Sequence, residues 1–277
     1  MTIADKVRRA KTDFDEVHTA GVELGKALGG YTEGFEAGKQ EEYDAFWDAL
    51  QITTSGLRDK YEYAFAGTGW NDKNFKPKYD IILGLGFTGS SMFVQSGITD
   101  LMGALERQGV KMDTTLCGYM QSMFQGSQIK RIPALNCSHA MDYNANGLNM
   151  TFINSQVETI DKLIVHEALV YKSAFQGCAN LKNIVFEGSI GNDINFQWSN
   201  NLTKASITSI VEALSLSVDY SEGKTLTLSK KAVDDAFVFY FDDPMTGESV
   251  KVQGTDEDNP YWWEIRNRRL NWNIEYA

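Results

Sequence analysis

Large apolar and small residues recur at regular spacing through the middle of the chain. One recurrent phrase has the pattern Phe-x-x-Ser-x-Φ-x-x-Φ, in which x is any residue and Φ is an aliphatic one. It occurs three times without a gap, beginning at Phe93, Phe124 and Phe152. A fourth copy, which begins at Phe175, carries Cys178 and one extra residue, and Phe196 opens a fifth. The Phe-to-Phe steps are 31, 28, 23 and 21 residues. Periods of this size are typical of solenoids, in which stacked units bury one continuous core. The predicted core positions are Phe93, Ile98, Phe124, Ile129, Phe152, Val157, Phe175, Leu181 and Ile184.

The first thirty residues follow a different apolar pattern, with steps that alternate between four and three. This heptad is the signature of a coiled coil, in which helices bury the seam between them. A single amphipathic helix lying on a core is the alternative interpretation. We favour a helix that joins copies of the chain, because the apolar stripe is narrow. The seam positions are Ile3, Val7, Ala10, Phe14, Val17, Gly21, Leu24 and Leu28.

Other segments around the recurrent phrase have recognisable patterns. Residues 32–50 predict a second helix, and the aromatic stretch 61–81 predicts an element that covers the first unit of the repeat array. Residues 99–108 and 115–123 are candidates for further helices. Thr203 is a predicted N-cap, since apolar residues at helical spacing follow it.

The last fifty residues alternate in a way that predicts strands. The stretches KTLTLS and AFVFYF predict two strands, a turn follows at residues 243–247, and ESVKV predicts the returning strand. Residues 271–276 predict a final edge strand.

One stretch resembles a known family. The segment SAFQGCANLKNIVFEGSI, residues 173–190, resembles one repeat of the BspA-like leucine-rich repeat family, whose pattern is Ala-Phe-x-x-Cys-x-x-Leu-x-x-Ile. Residues 34–51 resemble the helical leader found before such repeats in phage-derived proteins. The earlier copies of the phrase depart from the family pattern, since they lack the Cys and one residue. The resemblance covers roughly half of the chain, and it implies a protein of a bacterial surface or of a phage that infects gut bacteria.

The predicted fold class is therefore α+β, in three parts. Residues 1–55 form a helical coiled-coil stalk for oligomerisation and attachment, with a trimer as the favoured state. Residues 56–202 form an irregular leucine-rich-repeat-like β-solenoid. Residues 203–277 form a C-terminal cap with a helix and β-strands.

Composition excludes several classes of protein. The net charge of −11 disfavours nucleic acid as a partner, because phosphates would be repelled. Three widely spaced cysteines provide neither a disulfide framework nor a zinc site. No apolar run is long enough to span a bilayer, so membrane insertion is not expected. The first twenty residues are too rich in charge for a signal peptide.

Candidates for chemistry are few. Cys137 and His139 could form a nucleophile and a base only if the fold held both within hydrogen-bond reach and supplied an orienting group, and His166 is the remaining histidine of the repeat region. Their separation in sequence does not establish this, so we predict no catalytic residue. Gly84, Gly86 and Gly89 do not match the dinucleotide-binding spacing.

Three charged or aromatic groups allow a binding role, although a purely structural role is favoured for each. Residues 256–258 are acidic and could hold one calcium ion, but a solvated turn is favoured. The basic group Arg266, Arg268 and Arg269 is interpreted as a solvated strand face. Exposed tryptophans could stack on sugars, and the candidates are Trp70, Trp198, Trp262, Trp263 and Trp272. No cofactor and no metal are predicted.

These observations favour a binding and assembly protein. The hypothesis is a non-enzymatic virion protein of a bacteriophage, in a tail fibre, baseplate or capsid fibre, made in the host cytoplasm. Its expected partners are copies of itself, other virion proteins, and a bacterial surface receptor or glycan. A bacterial BspA-like adhesin or scaffold is the alternative, and a phage glycan hydrolase is a third interpretation that requires paired carboxylates.

Overall fold

The computed structural model describes residue 47 and residues 64–84, 89–140, 147–218, 223–246, 248–257 and 259–277. The predicted coiled-coil seam and all of the predicted second helix except Trp47 lie outside these residues.

Short strands and helices alternate along the described part of the chain. The strands are β1 Ile81–Ile82, β2 Met112–Asp113, β3 Arg131–Ile132, β4 Leu135–Asn136, β5 Thr159–Val165, β6 Asn183–Gly188, β7 Ile194–Phe196, β8 Thr225–Leu228, β9 Phe239–Asp242, β10 Ser249–Val252 and β11 Asn273–Tyr276. The helices are α1 Leu101–Gln108, α2 Lys204–Ala213, α3 Lys230–Ala236 and α4 Pro260–Arg266, and α4 continues into a 3-10 turn, Asn267–Arg269.

The phenylalanines of the recurrent phrase form one column in the core. Phe93, Phe124, Phe152, Phe175 and Phe196 are all buried. Neighbouring rings stack with centroids 5.3, 5.6, 5.3 and 4.5 Å apart and with interplanar angles of 27° or less. The small residues three positions after each ring are buried as well, and these are Ser96, Ser127, Ser155, Cys178 and Ser199.

The chain bends sharply on both sides of each of the first four rings. The residue two positions before the ring has a φ between 51° and 56°, and this residue is Ser91, Ser122, Met150 or Ser173. The residue two positions after the ring has a φ between 53° and 72°, and this residue is Gln95, Gly126, Asn154 or Gly177. Backbone hydrogen bonds join each bend to the next, for example from Phe124 N to Thr151 O at 2.8 Å and from Phe152 N to Ala174 O at 3.0 Å.

Strand pairing is divided among several small sheets. β1 pairs with β2, and β5 pairs with β3, β4 and β6, in parallel throughout. A second parallel sheet has the order β11-β8-β7, while β9 and β10 form an antiparallel hairpin. Since β7 pairs with β8, one sheet spans the predicted boundary at residue 202.

The predicted fold class is wrong. The described residues form a mixed α/β arrangement of four short helices and small separate sheets, and they do not close into a solenoid. The physical reason lies in the bends, because two residues with positive φ four positions apart interrupt the extended backbone that a continuous wall of strands requires. The strands between these bends, β2 to β5, are two to seven residues long.

Aromatic rings cover the column at its N-terminal end. Phe65 stacks on Phe93 with centroids 5.2 Å apart, and Phe75 packs edge-on against both rings. Trp70 and Trp47 contact Phe65 at 5.2 and 5.3 Å, and both indoles are buried. The aromatic stretch predicted to cover this end of the array does so in its described part.

The C-terminal elements agree with the sequence in part. Thr203 caps α2 by accepting a hydrogen bond from Ser206 N, and the strands predicted near β8, β10 and β11 are present. The stretch AFVFYF is a strand only from Phe239 onward, because its first residue ends α3. Residues 99–108 contain α1, whereas residues 115–123 form turns, so that second helix prediction is wrong.

Candidate functional surface

The outward side of β3, β5 and β6 carries charged side chains that pair from strand to strand. Glu158, just before β5, accepts from Lys182 Nζ at 3.1 Å and lies 3.7 Å from Lys130 Nζ. Hydrogen bonding and attraction from Lys182 lower the pKa of Glu158. Because the three residues come from successive passes of the chain, the passes align them in one row.

Two further ion pairs lie beside this row. Arg131 on β3 binds Asp161 on β5 through two contacts, Nε to Oδ1 at 3.0 Å and Nη2 to Oδ2 at 3.1 Å. Lys162 on β5 donates to Glu187 on β6 at 2.6 Å. These pairs are partly exposed, so they contribute little to stability, and each pair orients its two side chains toward one another.

Uncharged polar side chains extend the pattern. Asn180 Nδ2 donates to Gln156 Oε1 at 2.7 Å, and Asn183 Nδ2 donates to Thr159 Oγ1 at 3.4 Å. Val185 is 47 % exposed and projects from the middle of β6. We call these paired charged and amide side chains, together with Val185, the strand face.

The strand face is nearly balanced in charge within an acidic chain. Its ion pairs bring together four cations, Lys130, Arg131, Lys162 and Lys182, and three carboxylates, those of Glu158, Asp161 and Glu187. The whole chain has a net charge of −11. Recognition here would depend on the positions of hydrogen-bonding groups and less on bulk charge.

The two candidates considered for nucleophilic chemistry differ in burial and in their partners. Cys137 is completely buried, its Sγ lies 3.7 Å from Met120 Sδ, and burial raises the pKa of the thiol. His139 is exposed, and its Nδ1 lies 3.2 Å from Ser138 Oγ, which donates to Asn136 Oδ1 at 2.6 Å. A protonated thiol that solvent does not reach is a poor nucleophile.

The remaining candidate sites have structural roles in the described residues. His166 Nδ1 accepts from Ala168 N at 3.3 Å, within a turn. Asp256 accepts from Gln253 N at 2.6 Å, again within a turn, and Asp258 lies outside the described residues. No group of three or more His, Cys, Asp or Glu side chains suited to a metal occurs in the part of the chain that is described. Gly84 and Gly89 flank residues that are not described.

The basic group lies on a helix and its following turn, so its interpretation as a strand face is wrong. Arg268 pairs with Glu212 and Glu264 at 3.0 and 2.7 Å. Arg269 donates to the carbonyls of Leu214 and Glu212, which belong to the C-terminal end of α2. Arginine at a helix C-terminus satisfies its free carbonyls, so these guanidinium groups stabilise the packing of α4 on α2.

The tryptophans differ in accessibility. Trp70, Trp262 and Trp272 are buried, Trp198 is half-buried, and Trp263 is 61 % exposed. Of the predicted sugar-stacking residues, Trp263 therefore has the most accessible ring.

A second exposed surface was not anticipated from the sequence. Phe241 and Val250 are cross-strand partners in the hairpin of β9 and β10, and both are exposed. Phe239 lies on the same side, with its ring 6.2 Å from that of Phe241 and 5.3 Å from that of Tyr261 on α4. The alternation of Phe239 and Phe241 with Tyr240 and Asp242 along the chain is the sequence signal for this apolar face.

Comparisons of this chain with protein-family models, with curated proteins and with solved structures found no match. Among the described helices, none is both long enough and apolar enough to cross a lipid bilayer.

Proposed function

We propose that this protein is a non-enzymatic structural and attachment protein of a bacteriophage particle, in a tail fibre, baseplate or capsid fibre. In this proposal the N-terminal heptad joins copies of the chain, and the strand face contacts the host cell. The observation that carries the proposal is the strand face itself, a set of polar side chains held in rows by contacts between successive passes of the chain.

Preorganisation is the physical advantage of such a face. Long side chains lose rotamer freedom when a partner immobilises them, at a cost of about 0.5–1.5 kcal/mol each. Lys182, Arg131 and Lys162 are already held by their carboxylate partners. A receptor or glycan that bonds to the remaining donors and acceptors would therefore bind with a smaller loss of entropy.

The heptad and the family resemblance support the setting in a particle. Identical chains joined by a coiled coil present several copies of the strand face, and linked copies bind with higher avidity than single ones. The resemblance of residues 173–190 to a BspA-like repeat favours a phage or a bacterial surface as the source.

The carboxylates of the strand face favour binding over glycan hydrolysis. A glycosidase needs one carboxyl group with a raised pKa to protonate the leaving oxygen. Glu158 has a lowered pKa because Lys182 bonds to it, and Asp161 and Glu187 each bind a cation.

Particles released from cells that carry the gene provide the direct test. We expect density-gradient-purified particles to contain the full-length protein by mass spectrometry, and gold-labelled antibodies to mark a fibre or baseplate in electron micrographs. Absence of the protein from intact particles would contradict the proposal.

Cell binding tests the role of the strand face. The labelled full-length protein should bind gut bacterial cells, and Arg131→Glu with Lys182→Glu should weaken that binding about tenfold. Lys231→Glu on α3 is the matched control, since this lysine is also exposed and paired with a carboxylate, Asp235. Equal loss in both variants would argue against a specific face.

Seam substitutions test the joining of copies. Val7→Asp with Val17→Asp should reduce the mass measured by light scattering to that of one chain, because a charge in the seam opposes association. Thr12→Asp with Thr19→Asp places the same charges outside the seam and should leave the mass unchanged. A single-chain mass for the unaltered protein would contradict this part of the proposal.

A further inference from the structure

The hairpin of β9 and β10 has an uncovered apolar side. Phe241, Val250 and Tyr261 are 43, 37 and 47 % exposed. With Phe239 they form a continuous surface, which we call the hairpin face. Exposed apolar patches of this kind mark interaction sites, because water contact with them is unfavourable.

Both strands of the hairpin also have an open backbone edge within the described residues, since β9 and β10 pair with each other alone. The hydrogen bond from Asp243 N to Glu248 O shows that every second residue of β9, counted back from Asp243, directs its backbone groups toward β10. Tyr240 and Asp242 therefore direct their backbone groups outward from β9. An isolated two-stranded hairpin is marginal in water, and a third strand stabilises it.

Hydrogen bonds from Asn259, the residue before α4, anchor the base of the hairpin. Asn259 Nδ2 donates to Phe237 O at 2.7 Å and to Gln253 O at 2.9 Å, which lie next to the two strands. Asn259 Oδ1 accepts from the backbone of α4, and Val252 is buried.

Charge identifies the kind of partner. Asp242, Asp243 and Glu248 lie at the end of the hairpin, and Lys251 is the cation of β10. Lys251 repels a basic segment from the edge of β10, whereas Asp242 at the edge of β9 attracts one. At the base of the hairpin, Lys204 Nζ lies 5.0 Å from the ring centroid of Tyr261 and 5.2 Å from that of the buried Phe237, so these rings already have a cationic partner and the carboxylates at the end of the hairpin are the groups that favour a basic segment.

We propose that the hairpin face and the open edge of β9 bind an extended segment of another protein in which basic residues alternate with large apolar ones. The segment adds to β9 as a third strand, its apolar side chains pack beside Phe239 and Phe241, and its basic side chains approach Asp242 and the other carboxylates. A second copy of this chain fits less well, because each copy carries the same acidic hairpin and a net charge of −11. This surface is distinct from the strand face, so neither proposal depends on the other.

Fluorescence anisotropy with defined peptides tests the proposal on the full-length protein. The probe is a labelled ten-residue peptide of alternating Lys and Val, and the control peptide alternates Glu and Val. We expect saturable binding of the Lys-Val peptide that weakens in 0.5 M salt, and no binding of the Glu-Val peptide. Equal binding of the two peptides, or no binding of either at 1 mM, would overturn the proposal.

Variants locate the site. Phe241→Ser with Val250→Ser should weaken binding of the Lys-Val peptide at least about tenfold. Ile82→Ser removes an apolar side chain that is 55 % exposed on β1 and should leave binding unchanged. Circular dichroism and urea unfolding check that both variants are folded. Unchanged binding by the folded hairpin variant, or a loss of self-association in that variant alone, would reject the proposed partner.

Discussion

Each of the first four phenylalanines of the column lies between two residues with positive φ. Six of these eight flanking residues are not glycine, although a left-handed backbone costs a residue with a Cβ roughly 1–2 kcal/mol. The two bends place successive rings one above another, and the burial of a ring offsets the cost of its bends. Backbone strain and burial of the ring are thus linked at each of these four phenylalanines.

The column predicts a large effect for its central ring. Phe152→Ala should lower the free energy of unfolding by about 3–5 kcal/mol, because the ring is buried and stacks on both Phe124 and Phe175. Urea unfolding followed by circular dichroism measures this change. Phe241→Ala is the matched control and should cost less than about 1 kcal/mol, since that ring is partly exposed. Similar losses in both variants would contradict the role of the column.

The bends around Phe175 predict opposite effects for two small substitutions. Ser173→Gly should raise stability by about 0.5–1 kcal/mol, because Ser173 has a φ of 55° and glycine tolerates that conformation. Gly177→Ala should lower stability by more than about 1 kcal/mol, since φ is 72° and the added Cβ would clash with the amide oxygen of Asn154. Thermal and urea unfolding give both values, and a change of the same sign in the two variants would refute this explanation.

At the scale of elements, α2 takes the place of a neighbouring strand beside β6. Ser206 Oγ accepts from Ile184 N at 3.0 Å, and Ser209 Oγ accepts from Phe186 N at 2.9 Å. Helix hydroxyls thereby satisfy backbone groups at a strand edge that would otherwise be open to pairing.

Removal of one of these hydroxyls should be costly. Ser209→Ala should destabilise the protein by about 1–3 kcal/mol, because the partly buried N–H of Phe186 loses its partner. Thr208→Ala on the same helix is the control, with a smaller expected effect. Hydrogen exchange adds a local readout, since the amide of Phe186 should exchange faster in Ser209→Ala alone. Unchanged exchange there would contradict the role assigned to Ser209.

The sequence predicts elements whose signals are local. The Phe spacing, the Thr203 cap and the β8 strand all depend on residues close together in the chain. The division into small sheets cannot be predicted from local signals, because pairing between β7 and β8 depends on residues about thirty positions apart. Asn259-Pro260 is a recognisable helix start, yet α4 was not predicted, because the basic residues that follow were interpreted as a strand face.

The strand face could not be found from local patterns for the same reason. Lys182 and Glu158 are 24 positions apart, and Arg131 and Asp161 are 30 apart. Their pairing appears only once successive passes of the chain lie side by side.

At the scale of the whole molecule, carboxylates that accept several hydrogen bonds make stability depend on pH. Burial raises the pKa of Asp234, but hydrogen bonds from Lys230 and Thr255 outweigh this effect, so the pKa lies below its ordinary value of 3.8. Burial likewise raises the pKa of Asp72, but hydrogen bonds from Thr99 and Asp100 outweigh this effect and lower it. A lowered folded-state pKa gives stability that is present above the unfolded value and is lost as the pH falls through the folded value.

Asp234→Asn tests this linkage. At pH 7 it should cost about 1–2 kcal/mol, because Asp234 accepts from Thr255 N at 2.9 Å and from Thr255 Oγ1 at 2.6 Å. The difference from the unaltered protein should shrink as the pH falls below 3.8 and through the lowered pKa of the native carboxyl, which is then neutral as well. Asp235→Asn, at an exposed neighbouring carboxylate, is the control. A difference in unfolding free energy that does not change with pH would contradict the assignment.

The position of α2 restricts how proteins with this architecture can change length during evolution. A unit duplicated after β6 could not pair with β6, because Ser206 and Ser209 already occupy the hydrogen-bonding edge of that strand. A unit inserted between the passes that carry Phe124 and Phe175 would have neighbours of its own kind on both sides, with which it could form the backbone hydrogen bonds that now join those passes. Homologues of different length are therefore expected to gain or lose whole segments upstream of α2, in steps of about 21 to 31 residues, with the helix and everything after it retained.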